Sequence, residues 1–178
     1  MTVFVRLSCL LLIGIVLAGC SPLGTSSDES GRKAPEITGL DGEGRAMHLS
    51  EFHGKVILLD FWFSACGPCR NFESQEKAVL KRYEGRPFVV LGVNADPTRA
   101  LLSETQQTDR LPWRSWWDGQ GGPIATQWRV HVFPTVILID HLGRLRERWD
   151  GPPTPAELEA KLDKLVIEAE KPTPAGGN

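Results

Sequence analysis

The 178-residue chain has little cysteine. Its four cysteines, Cys9, Cys20, Cys66 and Cys69, cannot staple a domain together, so the fold must rest on a hydrophobic core. It has no Lys/Arg-rich run and no basic stripe, and its 20 basic and 22 acidic residues leave a net charge of −2. That balance speaks against nucleic-acid binding. No apolar run reaches the roughly 20 residues of a membrane-spanning helix; the longest, LSCLLLIGIVLAG, covers only 7–19. The histidines His48, His53, His131 and His141 are scattered singly and read as surface or turn residues rather than ligands. There is no internal repeat. These shortages leave one mixed-charge globular domain with appendages.

The apolar run follows a single charge, Arg6, and ends in small residues, the form of a secretory signal. Its end, Leu17-Ala18-Gly19-Cys20, resembles the lipobox of bacterial lipoproteins. That resemblance implies cleavage before Cys20 and diacylation of its thiol. Residues 1–19 are then a signal peptide. Residues 20–34 form a lipidated cysteine and a Ser/Gly/charge-rich tether with a span of about 20 Å. A domain fills 35–170, and 171–178 is a polar tail.

Within the domain, strand and helix signals alternate. Residues 35–50 read as a hairpin around Asp41-Gly42. KVILLDFWF (55–63), RPFVVLGVNAD (86–96) and TVILID (135–140) are continuous apolar runs, as expected of strands buried on both faces. RLRERW (144–149) reads as an edge strand. Helices are expected over 68–83, 98–108, 123–129 and 155–170, the last with Leu158, Leu162, Leu165 and Val166 on one face. The Trp-, Pro- and Gly-punctuated stretch 111–123 gives no element signal, and Trp113, Trp116, Trp117 and Trp128 read as core and loop packing. The pattern predicts an α/β fold: a mixed central sheet, helices on both faces and an N-terminal hairpin.

Chemistry concentrates in FWFSACGPC (61–69), where a buried strand runs into Cys66-Gly67-Pro68-Cys69 and a helix begins. At a helix N-terminus the first cysteine meets unpaired N–H groups and the positive end of the dipole, and both favour the nucleophilic thiolate. That order makes Cys66 the exposed, low-pKa thiol and Cys69 the buried one. Cys69, one turn on, is placed to resolve a mixed disulfide. Pro68 lies where its missing N–H costs little. A zinc site would need a second ligand pair, and the remaining cysteines lie in the targeting segment. Asp60, six residues before Cys66, is an acid inside an apolar strand; a buried carboxyl titrates near neutrality and could take the proton of Cys69.

The pattern DFW-(x)3-CGPC, followed by VFPT and VILID, resembles thioredoxin-fold proteins of the TlpA/ResA type, membrane-tethered extracytoplasmic thiol–disulfide proteins of bacteria. The resemblance spans about residues 35–168. It implies that Cys66 attacks, Cys69 resolves, Asp60 is the buried acid, and Pro134 is a cis-proline that turns the backbone of Phe133 toward substrate. With Gly67 and Pro68, Phe133 would form the substrate-facing surface. Three positions depart from the family: Ala65 where a Trp commonly stands, Phe72 with Glu73 after it where a Glu commonly stands, and a bulky Phe133 before the proline.

The expected activity is thiol–disulfide exchange on extracytoplasmic protein thiols and disulfides, mainly as a reductant, with no cofactor and with electrons from an upstream membrane donor. The lipid anchor would be the membrane contact. A copper-binding or delivery module using the two cysteines with His131 is the alternative. A peroxidase-like redoxin would need Thr/Ser-x-x-Cys, which Phe63-Ser64-Ala65-Cys66 does not offer.

Overall fold

The structure, a computed structural model, describes residues 30–171. The expected signal peptide, the lipidation site Cys20, the tether as far as residue 29 and the tail from 172 lie outside the described residues. A short hairpin comes first, β1 (Thr38–Leu40) and β2 (Ala46–His48), followed by a 3-10 turn at Leu49–Phe52. Then come β3 (Val56–Trp62), α1 (Gly67–Arg82), β4 (Phe88–Asn94) and α2 (Arg99–Thr108). The chain closes with β5 (Ser115–Trp117), α3 (Pro123–Gln127), β6 (Thr135–Ile139), β7 (Leu145–Asp150) and α4 (Pro155–Ala169).

The five-stranded sheet has the order β5-β4-β3-β6-β7. β3 lies at its centre, parallel to β4 and antiparallel to β6. All seven residues of β3 are buried, as its unbroken apolar run requires. Alternate side chains serve two separate cores. Ile57, Leu59 and Phe61 pack with Ile37 and Met47 of the hairpin region and with Ile124 and Trp128 around α3. Val56 and Leu58 pack with Phe72, Val79 and Tyr83 along α1 and with Leu158, Leu162, Leu165 and Val166 of α4. The expected α/β architecture is therefore realised, edge strand β7 included.

Strand β5 was not expected from the sequence. Its three residues sit between Pro112 and Gly119, and tertiary contacts override their punctuation. Trp116 is fully buried and donates its indole N–H to Met47 O at 2.8 Å; Trp117 donates to Asp96 O at 2.9 Å. The cluster is thus mostly core, with Trp117 partly exposed. The hairpin is clamped to this edge through Asp41, which accepts from Arg45 N at 2.8 Å and from Arg114 Nε at 2.9 Å. Burial pushes the Asp41 carboxyl up, yet these bonds outweigh it and hold the group below its ordinary value.

Gly92 of β4 lies between Asp60 of β3 and Ser115 of β5 in the sheet register. A methyl group there would collide with Ser115 Oγ and with the Trp62 indole nitrogen, neither of which is a flexible chain end. Gly92→Ala is expected to destabilise the fold by about 1–3 kcal/mol, read as a lower urea midpoint at unchanged m-value. An unaltered midpoint would show that β5 yields freely.

Candidate active site

β3 ends at Trp62, a four-residue turn follows, and α1 starts at Gly67 with Cys66 as its N-cap. Ordinarily a Ser, Thr, Asp or Asn oxygen would accept the first free N–H of such a helix. Here the acceptor is sulfur: Cys69 N donates to Cys66 Sγ at 3.1 Å. Cys66 and Cys69 are joined as a disulfide, with their Cα atoms 5.3 Å apart.

The turn is held by side chains not anticipated from the sequence. Ser64 N donates to Asp96 Oδ1 at 2.9 Å, and the Ser64 hydroxyl donates to Asp96 Oδ2 and lies 2.9 Å from Thr105 Oγ1 of α2. Asn94 at the end of β4 orients Asp96 through Nδ2 to Oδ2 at 2.8 Å. Two backbone bonds complete the frame, Ala95 N to Trp62 O at 2.9 Å and Cys66 N to Phe63 O at 3.0 Å. Polar residues just beyond a strand end were the available signal, but their mutual contacts are set only by the fold.

Both cysteines are buried, Cys66 with 4% of its surface exposed and Cys69 with 2%. The expected order of exposure concerns the reduced thiols; in this disulfide form neither sulfur-bearing residue is open to solvent. Trp62 and Leu102 pack around the pair, and Phe63 and Phe133 lean against the same cluster. The two phenyl rings meet edge to face, centroids 5.3 Å apart. Pro134 is buried behind them, and its peptide bond with Phe133 is cis, as the resemblance implied. Ala65, Gly67 and Pro68 form the exposed crest of the turn. Arg70 is not free in solvent: its guanidinium grips the Asp109 carboxylate, with Nη2 to Oδ1 at 2.9 Å, and Nε lies 3.5 Å from Glu73.

Beneath α1 the site is acidic. Asp60 shares the face of β3 that carries Val56 and Leu58, and it is 3% exposed with Oδ1 unpartnered. Burial, and then the Glu73 carboxylate, pushes its pKa up to about 8. Glu76 is also buried, 1% exposed, with Oε1 unpartnered. Burial first, then Asp60 and Glu73, hold its carboxyl well above the ordinary range, and Lys77 offsets this only in part. Glu76 was not singled out in the sequence, where it stands among the other charges of this helix. Its position in the stripe Cys69, Phe72, Glu76, Val79, Tyr83 was the missed signal.

Of the histidines, His48, His53 and His131 are exposed and His141 is half-buried. Among the described residues no group of three or more His, Cys, Asp or Glu side chains is placed to hold a metal ion.

A C-x-x-C dithiol capping the helix that follows the central strand of such a sheet defines a thioredoxin-fold thiol–disulfide oxidoreductase. The chain belongs to the AhpC/TSA family, matched over residues 30–148. It is similar to the thiol-disulfide oxidoreductase ResA of Bacillus thuringiensis subsp. konkukian, 28% identical over 138 residues that cover 78% of this chain and 79% of that one. It is also similar to the thioredoxin-like protein YneN of Bacillus subtilis, 30% identical over 76% of this chain and 79% of that one. Among solved structures it resembles the thioredoxin domain of a thiol-disulfide oxidoreductase from Bacteroides vulgatus, with a TM-score of 0.67 and 26% identity over 77% of this chain and 97% of that domain.

The raised Asp60 pKa has a consequence for stability. Unfolded, Asp60 ionises near 4; folded, it keeps its proton to about pH 8. Between these values the folded state binds the extra proton, so this residue makes stability fall as pH rises, by about 1.4 kcal/mol per pH unit. Asp60→Asn lacks that slope. Its stability advantage over the parent is expected to widen from pH 5 to pH 7 and level off above about pH 8. Parallel urea-derived stability curves would show that Asp60 ionises normally.

Proposed function

We propose that this oxidoreductase reduces disulfides of extracytoplasmic proteins while tethered to a membrane through lipid on Cys20. The observation that carries the assignment of roles is the sulfur cap. Cys66 Sγ receives the Cys69 N–H at the positive end of α1, so on reduction the thiolate is favoured at Cys66 and not at Cys69. The Cys66 thiolate attacks one sulfur of a substrate disulfide. A Cys66–substrate mixed disulfide forms and the other substrate sulfur leaves as thiolate. The Cys69 thiol then passes its proton to ionised Asp60 and attacks Cys66 Sγ. The Cys66–Cys69 disulfide closes, and the second substrate sulfur leaves as thiolate and takes a proton from water. The substrate gains two electrons and the dithiol loses two. Gly67, Pro68, Phe133 and Pro134 form the surface against which the substrate chain lies.

What surrounds the sulfur supports the reducing direction. A disulfide becomes more oxidising as its reduced thiolate is better stabilised. Gly67 and Pro68 add no charge. Arg70, the nearest candidate cation in sequence, is drawn off by Asp109 and Glu73. Asp60 beneath this helix and Glu73 on it oppose the thiolate once ionised, Asp60 near pH 8. All of this favours a low potential. No helix among the described residues is long and apolar enough to cross a membrane. Membrane attachment therefore rests on the lipobox-like Leu17-Ala18-Gly19-Cys20, and regeneration of the dithiol on a membrane electron donor.

Equilibration of Cys66–Cys69 against glutathione or dithiothreitol buffers is expected to give a midpoint nearer roughly −270 mV than roughly −120 mV, with catalysis of insulin reduction. A midpoint above about −180 mV would reverse the proposed direction.

The anchor has its own test. Cys20→Ser is expected to move the protein from the membrane to the soluble fraction or to arrest its processing, because acyl chains contribute about 0.8 kcal/mol per buried CH₂. A native mature N-terminus other than Cys20, found by mass spectrometry, would rule the anchor out.

A further inference from the structure

Arg70 is the only basic residue in the first two turns of α1. Its backbone N–H donates to Cys66 O at 3.0 Å, so it lies one turn beyond Cys66. Residues four apart on a helix share a face, and helical side chains lean toward the N-terminus. Left to its own helix, the Arg70 guanidinium would lie over the turn that carries Cys66, where a cation stabilises a thiolate. The structure holds it elsewhere. Nη2 donates to Asp109 Oδ1 at 2.9 Å and Nη1 to Oδ2, and Nε lies 3.5 Å from Glu73, farther along α1. Asp109 gains little from its own helix. It is the C-cap of α2, at the negative end of the dipole, where a neutral or basic residue would serve better. Its side chain is only 15% exposed, so the two-bond grip is partly shielded from water. Lys77 Nζ secures the same corner by donating to Asp109 O at 2.9 Å. α2 is also fixed to the turn before Cys66, where Thr105 Oγ1 lies 2.9 Å from the Ser64 hydroxyl.

We propose that Asp109 is a positioning residue for the exchange reaction: it holds the Arg70 cation off the Cys66 thiolate and thereby lowers the potential of the dithiol. In the disulfide form the sulfurs carry no charge, and the position of Arg70 matters little to them. Once the pair is reduced, a cation brought to Cys66 Sγ stabilises the reduced form and makes the disulfide more oxidising. Asp109 competes with the thiolate for that cation, from an element already tied to the active-site turn. The inference rests on the attack by Cys66 proposed above. It adds to that reading a residue 39 positions beyond Arg70 in the chain, which acts on the sulfur only through the guanidinium it grips.

The test pairs the Cys66–Cys69 equilibrium against glutathione with the pH dependence of iodoacetamide labelling in the reduced protein. Asp109→Asn releases Arg70 while keeping the shape of the side chain. Its equilibrium is expected to shift about three- to tenfold toward the dithiol, a rise of roughly 15 to 30 mV, and the labelling midpoint of Cys66 to fall by about half a unit to one unit. Asp109→Glu keeps the carboxylate and should stay within about twofold of the parent. Adding Arg70→Gln to Asp109→Asn should cancel the rise, because the effect travels through the guanidinium; a mere loosening of α2 would persist in the double variant. No rise in Asp109→Asn, or a rise that survives Arg70→Gln, would overturn the proposal. The underlying reading fails separately. If Cys69 labels ahead of Cys66 in the parent, the assignment of the nucleophile is lost; if Cys66 labels first and Asp109→Asn moves neither its midpoint nor the equilibrium, only the role of Asp109 is lost.

Discussion

A helix that starts at the end of a buried strand leaves its first N–H groups without partners, and in this protein one of them is met by Cys66 sulfur. Most of the local structure serves that bond. β3 must deliver the chain to this point, so it occupies the centre of the sheet with every residue buried. The turn between strand and helix must not fray, so Ser64 is tied to Asp96 and Thr105, and Asp96 to Asn94. Three secondary-structure elements, the ends of β3 and β4 and the body of α2, therefore fix one sulfur atom. A cap in most proteins contributes about 1 kcal/mol to a helix. Here the same geometry favours the thiolate at Cys66, the proposed nucleophile.

The second feature is a concentration of acid where apolar residues would pack better. Asp60 and Glu76 sit in the layer between β3 and α1, and Glu73 lies half-buried at its margin. In stability terms they are a cost, and the α1–α4 core of Val56, Leu58, Phe72, Val79 and four residues of α4 must offset it. A fold under selection for stability alone has no use for such a layer. Its occurrence directly under the helix that carries the dithiol fits a site that handles protons near neutral pH.

How far the sequence could be read depended on the kind of signal each element carries. Long apolar runs gave β3, β4 and β6, and Asp60 stood out because an acid interrupts such a run. The dithiol was legible because C-x-x-C at a strand–helix junction is a local pattern. β5 was invisible: three residues among Trp, Pro and Gly become a strand only because β4 and the hairpin cover them. Glu76 was hidden for a different reason. A single acid in a helix rich in charges reads as surface, and only the stripe from Cys69 to Tyr83 shows that it turns inward. The Ser64–Asp96–Asn94 network combines residues up to 32 positions apart and has no linear signature.

The aromatic cover of the dithiol follows from one of the departures from the family pattern. With Ala65 before the first cysteine, the crest of the turn has no large side chain of its own. Phe63, two residues earlier, and Phe133, before the cis-proline, pack edge to face against the same cluster as the cysteines. A phenyl ring stands where a smaller residue is common, and it meets a partner from the opposite side of the site. In the oxidised form Cys66 and Cys69 lie buried in this cluster while Gly67 and Pro68 stay exposed. The dithiol thus lies behind an uncharged crest, beside the packed rings of Phe63 and Phe133. Burial of the pair and access to it are controlled by side-chain packing rather than by the backbone frame that sets its chemistry.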